Sequence, residues 1–255
     1  MSWRIFVDPP ASGAANMALD AALLELAQSD GLRALRLYGW NPGTLSFGRH
    51  EPALRRYDRD AIEQRGLDVV RRPTGGRAVW HHDEVTYAVA ASADTFGSLA
   101  ETYREIHGLL ADALHQMGAS VSLAGRKPAP GVGAGACFAG AVGGEVVTDD
   151  GRKIVGSAQV RSADAFLQHG SILLAAEQDV VAGVTRGDAD PPAAAGLAEL
   201  LGPQATFAAV SGAVTKAAAQ RWCASAEAIP SPEDVRDRAI VLEPRYADSS
   251  WTWRR

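Results

Sequence analysis

Between residues 34 and 89, strand-like runs follow one another in short succession, with helices inserted rather than strictly alternating, which favours a mixed sheet flanked by helices over a doubly wound parallel sheet. The runs are Ala34 to Tyr38, Thr44 to Gly48, Leu67 to Arg71, Ala78 to Trp80, and an alternating segment in which Val85, Tyr87 and Val89 share one face. Parallel neighbours need a long crossover, usually a helix, and here only Asp58 to Gln64, ended by Gly66, reads as one. The runs therefore read as neighbouring strands of one sheet. Longer helices frame them. Asn16 to Leu26 carries Leu19, Leu23 and Leu26 at helical spacing, with Asn16 as a candidate N-cap and Gly31 as terminator. Ser98 and Glu101 form a capping-box pattern ahead of the stripe Leu99, Tyr103, Ile106, Leu110, Ala113 and Met117. Another strand is expected at Phe166 to Leu174, and Ala-rich helices fill the remainder, the last opened by Ser231-Pro232-Glu233-Asp234. The expected class is α+β, a mixed β-sheet flanked by helices, and 255 residues with 47% hydrophobic content suffice to bury the core of a single domain over 1-255.

A net charge of −5 supplies no global basic footprint, which argues against nucleic acid as partner. No stretch approaches the roughly 20 apolar residues of a bilayer span, and Met1-Ser2-Trp3-Arg4 runs straight into a strand-like segment, so no membrane association and a cytoplasmic location are expected. Of the 25 basic residues only Lys127, Lys153 and Lys216 are lysines, which makes each lysine informative. Arg49, Arg55, Arg56 and Arg59 are expected to present a basic surface to an acidic partner.

Chemistry concentrates in a few strings. In Arg71-Arg72-Pro73-Thr74-Gly75-Gly76-Arg77 a strand runs into two glycines that let backbone approach a ligand, with arginines positioned to meet an anion. An ordinary Gly-Gly turn is the competing reading. Gly151-Arg152-Lys153-Ile154-Val155-Gly156-Ser157-Ala158-Gln159 puts small residues where a strand normally carries bulk. Asp149-Asp150-Gly151 is a hairpin signal that brings Lys153 toward the Gly/Ala/Pro-rich loop holding Cys137. Reactive cysteines need exposure and an electropositive neighbour, and Lys153 is the candidate, whereas Cys223 on a predicted helix reads as packing. His81 and His82 point to opposite faces of a strand and cannot chelate one ion, so no metal is expected. His169 lines a pocket or is a satisfied core histidine, and His50, His107 and His115 carry no signal.

Five strings in order, Asn16-Met17-Ala18-Leu19-Asp20, Thr44-Leu45-Ser46-Phe47-Gly48, Arg71 to Val79, Gly151 to Gln159 and Gln168-His169-Gly170-Ser171, resemble the biotin/lipoate ligase and octanoyltransferase superfamily. With Cys137-Phe138 ahead of Lys153, the chain is most similar to the lipoate-biosynthesis octanoyltransferases. After that pair the family carries Pro-Ser and an aromatic, where this chain reads Ala139-Gly140-Ala141-Val142-Gly143-Gly144. The resemblance implies a ligase-like catalytic domain that transfers octanoyl from acyl carrier protein to a lipoyl-domain lysine, such as that of the glycine cleavage H protein. It implies a Cys137 thioester, a thiol pKa lowered by Lys153, no cofactor, and an acyl pocket lined by Arg72, Gly75, Gly76, His81, Gly156, Ser157 and His169. An ATP-dependent lipoate-protein ligase shares most of these elements but has no need of Cys137, and many ligases carry an added C-terminal domain for which this chain, ending at Arg255, leaves no room. A non-catalytic carrier-binding homologue is the third reading, prompted by the altered loop.

Overall fold

The computed structural model of the chain describes residues 2–125, 138, 143–187 and 193–255. Strand β1 (Arg4–Val7) precedes helix α1 (Gly13–Asp30) and β2 (Ala34–Tyr38), and β3 (Thr44–Phe47) leads into the short helices α2 (Ala53–Arg56) and α3 (Arg59–Gln64). Then come β4 (Asp68–Arg71), β5 (Val79–His81), β6 (Glu84–Ser92) and α4 (Leu99–Gln116). They are followed by β7 (Val121–Leu123), β8 (Val146–Thr148), β9 (Val155–Arg161) and β10 (Ala165–Leu173). The last part holds α5 (Asp179–Ala182), α6 (Leu197–Leu201), α7 (Phe207–Trp222), α8 (Glu233–Ala247) and α9 (Ser249–Thr252).

The strands expected to share one sheet divide between two. A mixed five-stranded sheet runs β1-β2-β6-β10-β9, and a smaller one runs β4-β3-β5. The division occurs at His82 and Asp83. They look like a hairpin turn, yet His81 pairs with Thr44 of the small sheet while Glu84 pairs with Leu173 of the large one. The two residues turn a corner between sheets. The large sheet buries one face, with Leu35, Leu37, Val85, Tyr87 and Val89, against α4 and α7. Its other face, with Tyr38, Ala88, Ala90 and Leu167, packs beneath α1 and α8. Alternation along β6 thus feeds two cores, as a period of two requires.

Local details differ from expectation in instructive ways. The Ser98–Glu101 capping box is present on α4. The N-cap of α1, however, is Ser12, whose hydroxyl accepts from Ala15 N–H, and Asn16 lies a turn inside with its amide donating to the carbonyls of Ala11 and Gly39. Ser231 does not cap α8, because its N–H and hydroxyl both donate to Asp8. Cys223 is exposed and ends α7 in a left-handed conformation rather than packing. The Asp190 to Ala195 loop is described only from residue 193.

One close approach binds the small sheet to the glycine loop. Arg49 N–H donates to Thr74 O at 2.7 Å, and a Cβ placed on Gly48 would stand 2.0 Å from Gly76 O. Only glycine fits there. Arg71 lies beneath, fully buried, donating to the carbonyls of Gly48, Glu51 and Thr252.

Candidate active site

Strand register builds the floor of the site. Tyr38 pairs with Thr86, Thr86 with Ser171, and Ser171 with Gly156, so these four form one row across β2, β6, β10 and β9. The next row is Arg36, Ala88, His169 and Ala158. Paired residues face the same side. Above them opens a cavity, lined also by Met17 of α1 and by Ser46, Arg72, Val79 and His81 from the small sheet and its loops. Trp40, just beyond β2, completes the lining. The cavity lies in the seam between the sheets.

Its polar residues are bound to one another. Arg72, 4% exposed, donates to Ser46 O and Oγ and to the carbonyls of Gly75 and Arg77. Both arginines of the Arg71-Arg72 pair therefore turn inward, against the expectation that they meet an anion, because a tight loop leaves carbonyls that need donors. His81 Nδ1–H donates to Glu84 at 2.8 Å, its Nε2 lies 2.7 Å from Ser46 Oγ, and its ring stacks on Trp40. His169 both lines the cavity and is satisfied. Burial lowers its pKa despite the opposing pull of Asp20. In the neutral ring Nδ1–H donates to Asp20 at 2.7 Å, and Nε2 accepts from Thr74 Oγ1 at 2.6 Å. Thr74 and the glycine loop are thereby held to β10.

At the β9 end of the row stands Lys153, delivered by the β8–β9 hairpin as its spacing suggested. It is 3% exposed and donates to Glu145 at 2.7 Å, so an ammonium and a carboxylate are buried together. Phe138 covers this corner. Its ring lies 5.2 Å from Lys153 Nζ, and a Cβ on Gly156 would meet it at 2.6 Å, which accounts for the small residue in β9. From the opposite face of the sheet, Tyr103 on α4 donates to Glu145 at 3.0 Å, and His107, one turn on, donates from Nδ1 to Gly144 O at 2.6 Å.

The lipoyl protein ligase A/B catalytic domain model matches residues 12–219. The chain belongs to this family. The octanoyltransferase LipM of Kyrpidia tusciae is 35% identical over all of this chain and 99% of its own length, and that of Moorella thermoacetica is 34% identical over all of this chain and 98% of its own. The fold is that of a solved lipoate-protein ligase A bound with ATP, with a TM-score of 0.84 at 18% identity, covering 99% of each chain. Like these relatives, the chain is an acyltransferase-family enzyme.

Of the family-implied residues, Arg72, His81, Gly156, Ser157 and His169 line the cavity, and Lys153 stands beside the Phe138 that packs on Gly156. Gly75 and Gly76 form the loop that Arg72 grips, with a Cβ on Gly76 3.9 Å from that of Ala158. Cys137 lies outside the described residues. His82, at the corner beyond β5, is exposed beside Glu177, and no group suited to hold a metal occurs among the described residues. The four-arginine surface is only half realised: Arg55 and Arg59 are exposed, Arg49 and Arg56 are half-buried, and Arg59 is already paired with Glu63.

Asp20, Glu84, Glu145 and His107 support the site, and none was assigned a role in it from the sequence. His107 had a faint signal, since a histidine four residues after Tyr103 sits on the stripe that α4 buries. Burial pushes its pKa down to about 4. With Nδ1–H on Gly144, the neutral ring accepts at Nε2 from Ser157 Oγ at 2.8 Å, Ser157 accepts from Tyr87, and Tyr87 accepts from Gln168. A histidine whose folded pKa lies below its unfolded 6.5 binds its proton more readily when unfolded. Its contribution is fully present above pH 6.5 and lost as pH falls toward 4. We expect the unfolding free energy to drop by up to about 1.4 kcal/mol per pH unit in that window, and His107→Gln to flatten the drop. Denaturant titrations between pH 7 and 4 measure it; parallel curves for the two proteins would exclude His107 as the source.

Proposed function

We propose that the enzyme transfers an octanoyl group from acyl carrier protein to a lipoyl-domain lysine, that of the glycine cleavage H protein or another lipoyl domain, in lipoate biosynthesis. The observation that carries this reading is the buried Lys153 beside Phe138, the residue that follows Cys137 in the chain and packs on Gly156 of the cavity lining. The names of the LipM relatives support octanoyl as the group.

In this reading the Cys137 thiolate attacks the donor thioester carbon, a carbon–sulfur bond forms to Cys137, and the carrier thiol leaves as the other carbon–sulfur bond breaks. A neutral acceptor lysine then attacks. The carbon–nitrogen bond forms, the Cys137 thiolate is released, and the proton of the attacking amine passes to a base. The Lys153 ammonium favours thiolate, and lysine, unlike arginine, can also take up a proton once neutral. Glu145 keeps the buried cation in place, since a lone buried ammonium is costly. The cavity contributes through the tail: about six buried methylenes at roughly 0.8 kcal/mol each give on the order of 5 kcal/mol of binding. Thioester to amide is downhill, so no nucleotide is needed.

The test is octanoyl transfer from acyl carrier protein to apo H protein, followed by intact mass with and without ATP. Equal rates in both are expected. Transfer that appears only with ATP and free octanoate would replace this reading with the ligase one, and absence of any adduct or product would favour a non-catalytic carrier-binding protein.

A further inference from the structure

We propose that Met17, which lines the β2 end of the cavity together with Tyr38 and Trp40, is the residue that fixes how long an acyl chain the cavity accepts. The inference rests on the acyl-transfer reading but concerns only the inner end of the cavity, away from the reacting atoms. The direction of the cavity follows from register. Phe138 packs on Gly156 at the β9 end of the row Gly156, Ser171, Thr86, Tyr38, so a chain that enters from that end runs across the strands toward β2 rather than along them. Three strand spacings of about 4.8 Å separate β9 from β2, about 14 Å in all. Van der Waals contact with the far wall takes up about 4 Å. The remaining length, about 10 Å, matches an extended octanoyl group of about 9 Å, built from carbon–carbon bonds of about 1.5 Å.

The wall itself has rigid and soft parts. Tyr38 is held by its hydroxyl, which donates to Asp20 at 2.8 Å. Trp40 is held by Nε1, which donates to Thr86 Oγ1 at 2.7 Å, and by its ring, 4.1 Å from that of His81. Met17 has no polar anchor. It is 1% exposed and packs in the same cluster as both aromatics. Its backbone is fixed by its neighbours on α1, Asn16 bonded to Gly39 beyond β2 and Asp20 bonded to His169 on β10. A flexible thioether on a fixed helix, lining the cavity with two pinned rings, is the part of the lining whose size can change without breaking a hydrogen bond. Shortening it should deepen the cavity by two or three methylenes, and filling the same place with a ring should make it shallower.

The experiment compares wild type with Met17→Ala, Met17→Val and Met17→Phe, using hexanoyl, octanoyl, decanoyl and dodecanoyl carrier protein as donors. The corresponding free fatty acids are titrated in parallel by calorimetry. Each methylene that gains or loses its place is expected to change relative kcat/KM and affinity about fourfold, so a shift of two methylenes is about 15-fold. Met17→Ala and Met17→Val should move the optimum to ten or twelve carbons, and Met17→Phe should move it to six. Opposite shifts from opposite changes in size cannot come from general destabilisation. If the folded variants keep the wild-type ranking of chain lengths, the proposal is overturned, and Met17→Val and Met17→Phe decide it should Met17→Ala not fold. A wild-type protein that binds octanoate but transfers none would overturn the transferase reading, and the fatty-acid titrations would then decide the role of Met17.

Discussion

Cys137→Ala is expected to take up no octanoyl group from donor and to lose at least about a thousandfold in transfer, whereas the wild-type protein incubated with donor alone gains one octanoyl mass. The expectation follows from splitting one acyl transfer into two steps joined by a covalent intermediate. Lys153→Arg should separate charge from chemistry, because it keeps a cation beside Glu145 but cannot take up a proton. It should also place the cation differently, since a planar fork replaces a point charge. We expect it to react slowly with iodoacetamide, with a thiol inflection shifted upward from that of the wild type. Mass spectrometry after donor incubation and alkylation rates across pH measure both effects. Full activity in Cys137→Ala would sink the thioester mechanism.

The second large effect is structural. Arg36 is fully buried beneath α1, with Nε donating to Asp8 at 2.6 Å and NH1 donating to Asp20 at 2.9 Å. Burial opposes its charge, but Asp20, Tyr38 and Asp8 together hold its pKa above the ordinary arginine value. The other oxygen of Asp20 accepts from Tyr38 and from His169, so one carboxylate ties together α1, β2 and β10. Asp20→Ala should leave a partly uncompensated guanidinium and two unsatisfied donors in the core, at about 3–5 kcal/mol. That corresponds to a fall in Tm on the order of 10 °C. Asp20→Asn, which can keep part of the hydrogen bonding, should fall between. Thermal unfolding of the three proteins checks the order, and a change below about 1 kcal/mol for Asp20→Ala would mean that the cluster relaxes without it.

What was legible in the sequence was what local chemistry writes down. The capping box at Ser98, the alternation of Val85, Tyr87 and Val89, and the hairpin that carries Lys153 each depend on neighbours within a few residues, and each is found. The division of the strands into two sheets was not legible, because a two-residue corner at His82 and Asp83 has the same spelling as a hairpin turn. Arginine direction was hidden for a similar reason. Nothing in Arg71-Arg72 indicates whether a guanidinium faces an incoming anion or the carbonyls of its own loop, and the answer comes from the crowded backbone around Gly48 and Gly76. Asp20 and Glu145 resemble ordinary surface acids until their partners, at sequence separations of 16 and 8, are brought beside them.

The contact between Gly48 and Gly76 also constrains how this lineage can change. At 2.0 Å from a carbonyl oxygen, a Cβ at position 48 could be accommodated only if the other loop moved first, and that loop is held by Arg72 from within and by Thr74 through His169. Neither loop can drift alone. Insertions or deletions between residues 72 and 77 would have to arrive together with a change near 48, a double event that selection seldom sees. The crossing of these two loops should therefore stay fixed as the rest of this enzyme diversifies.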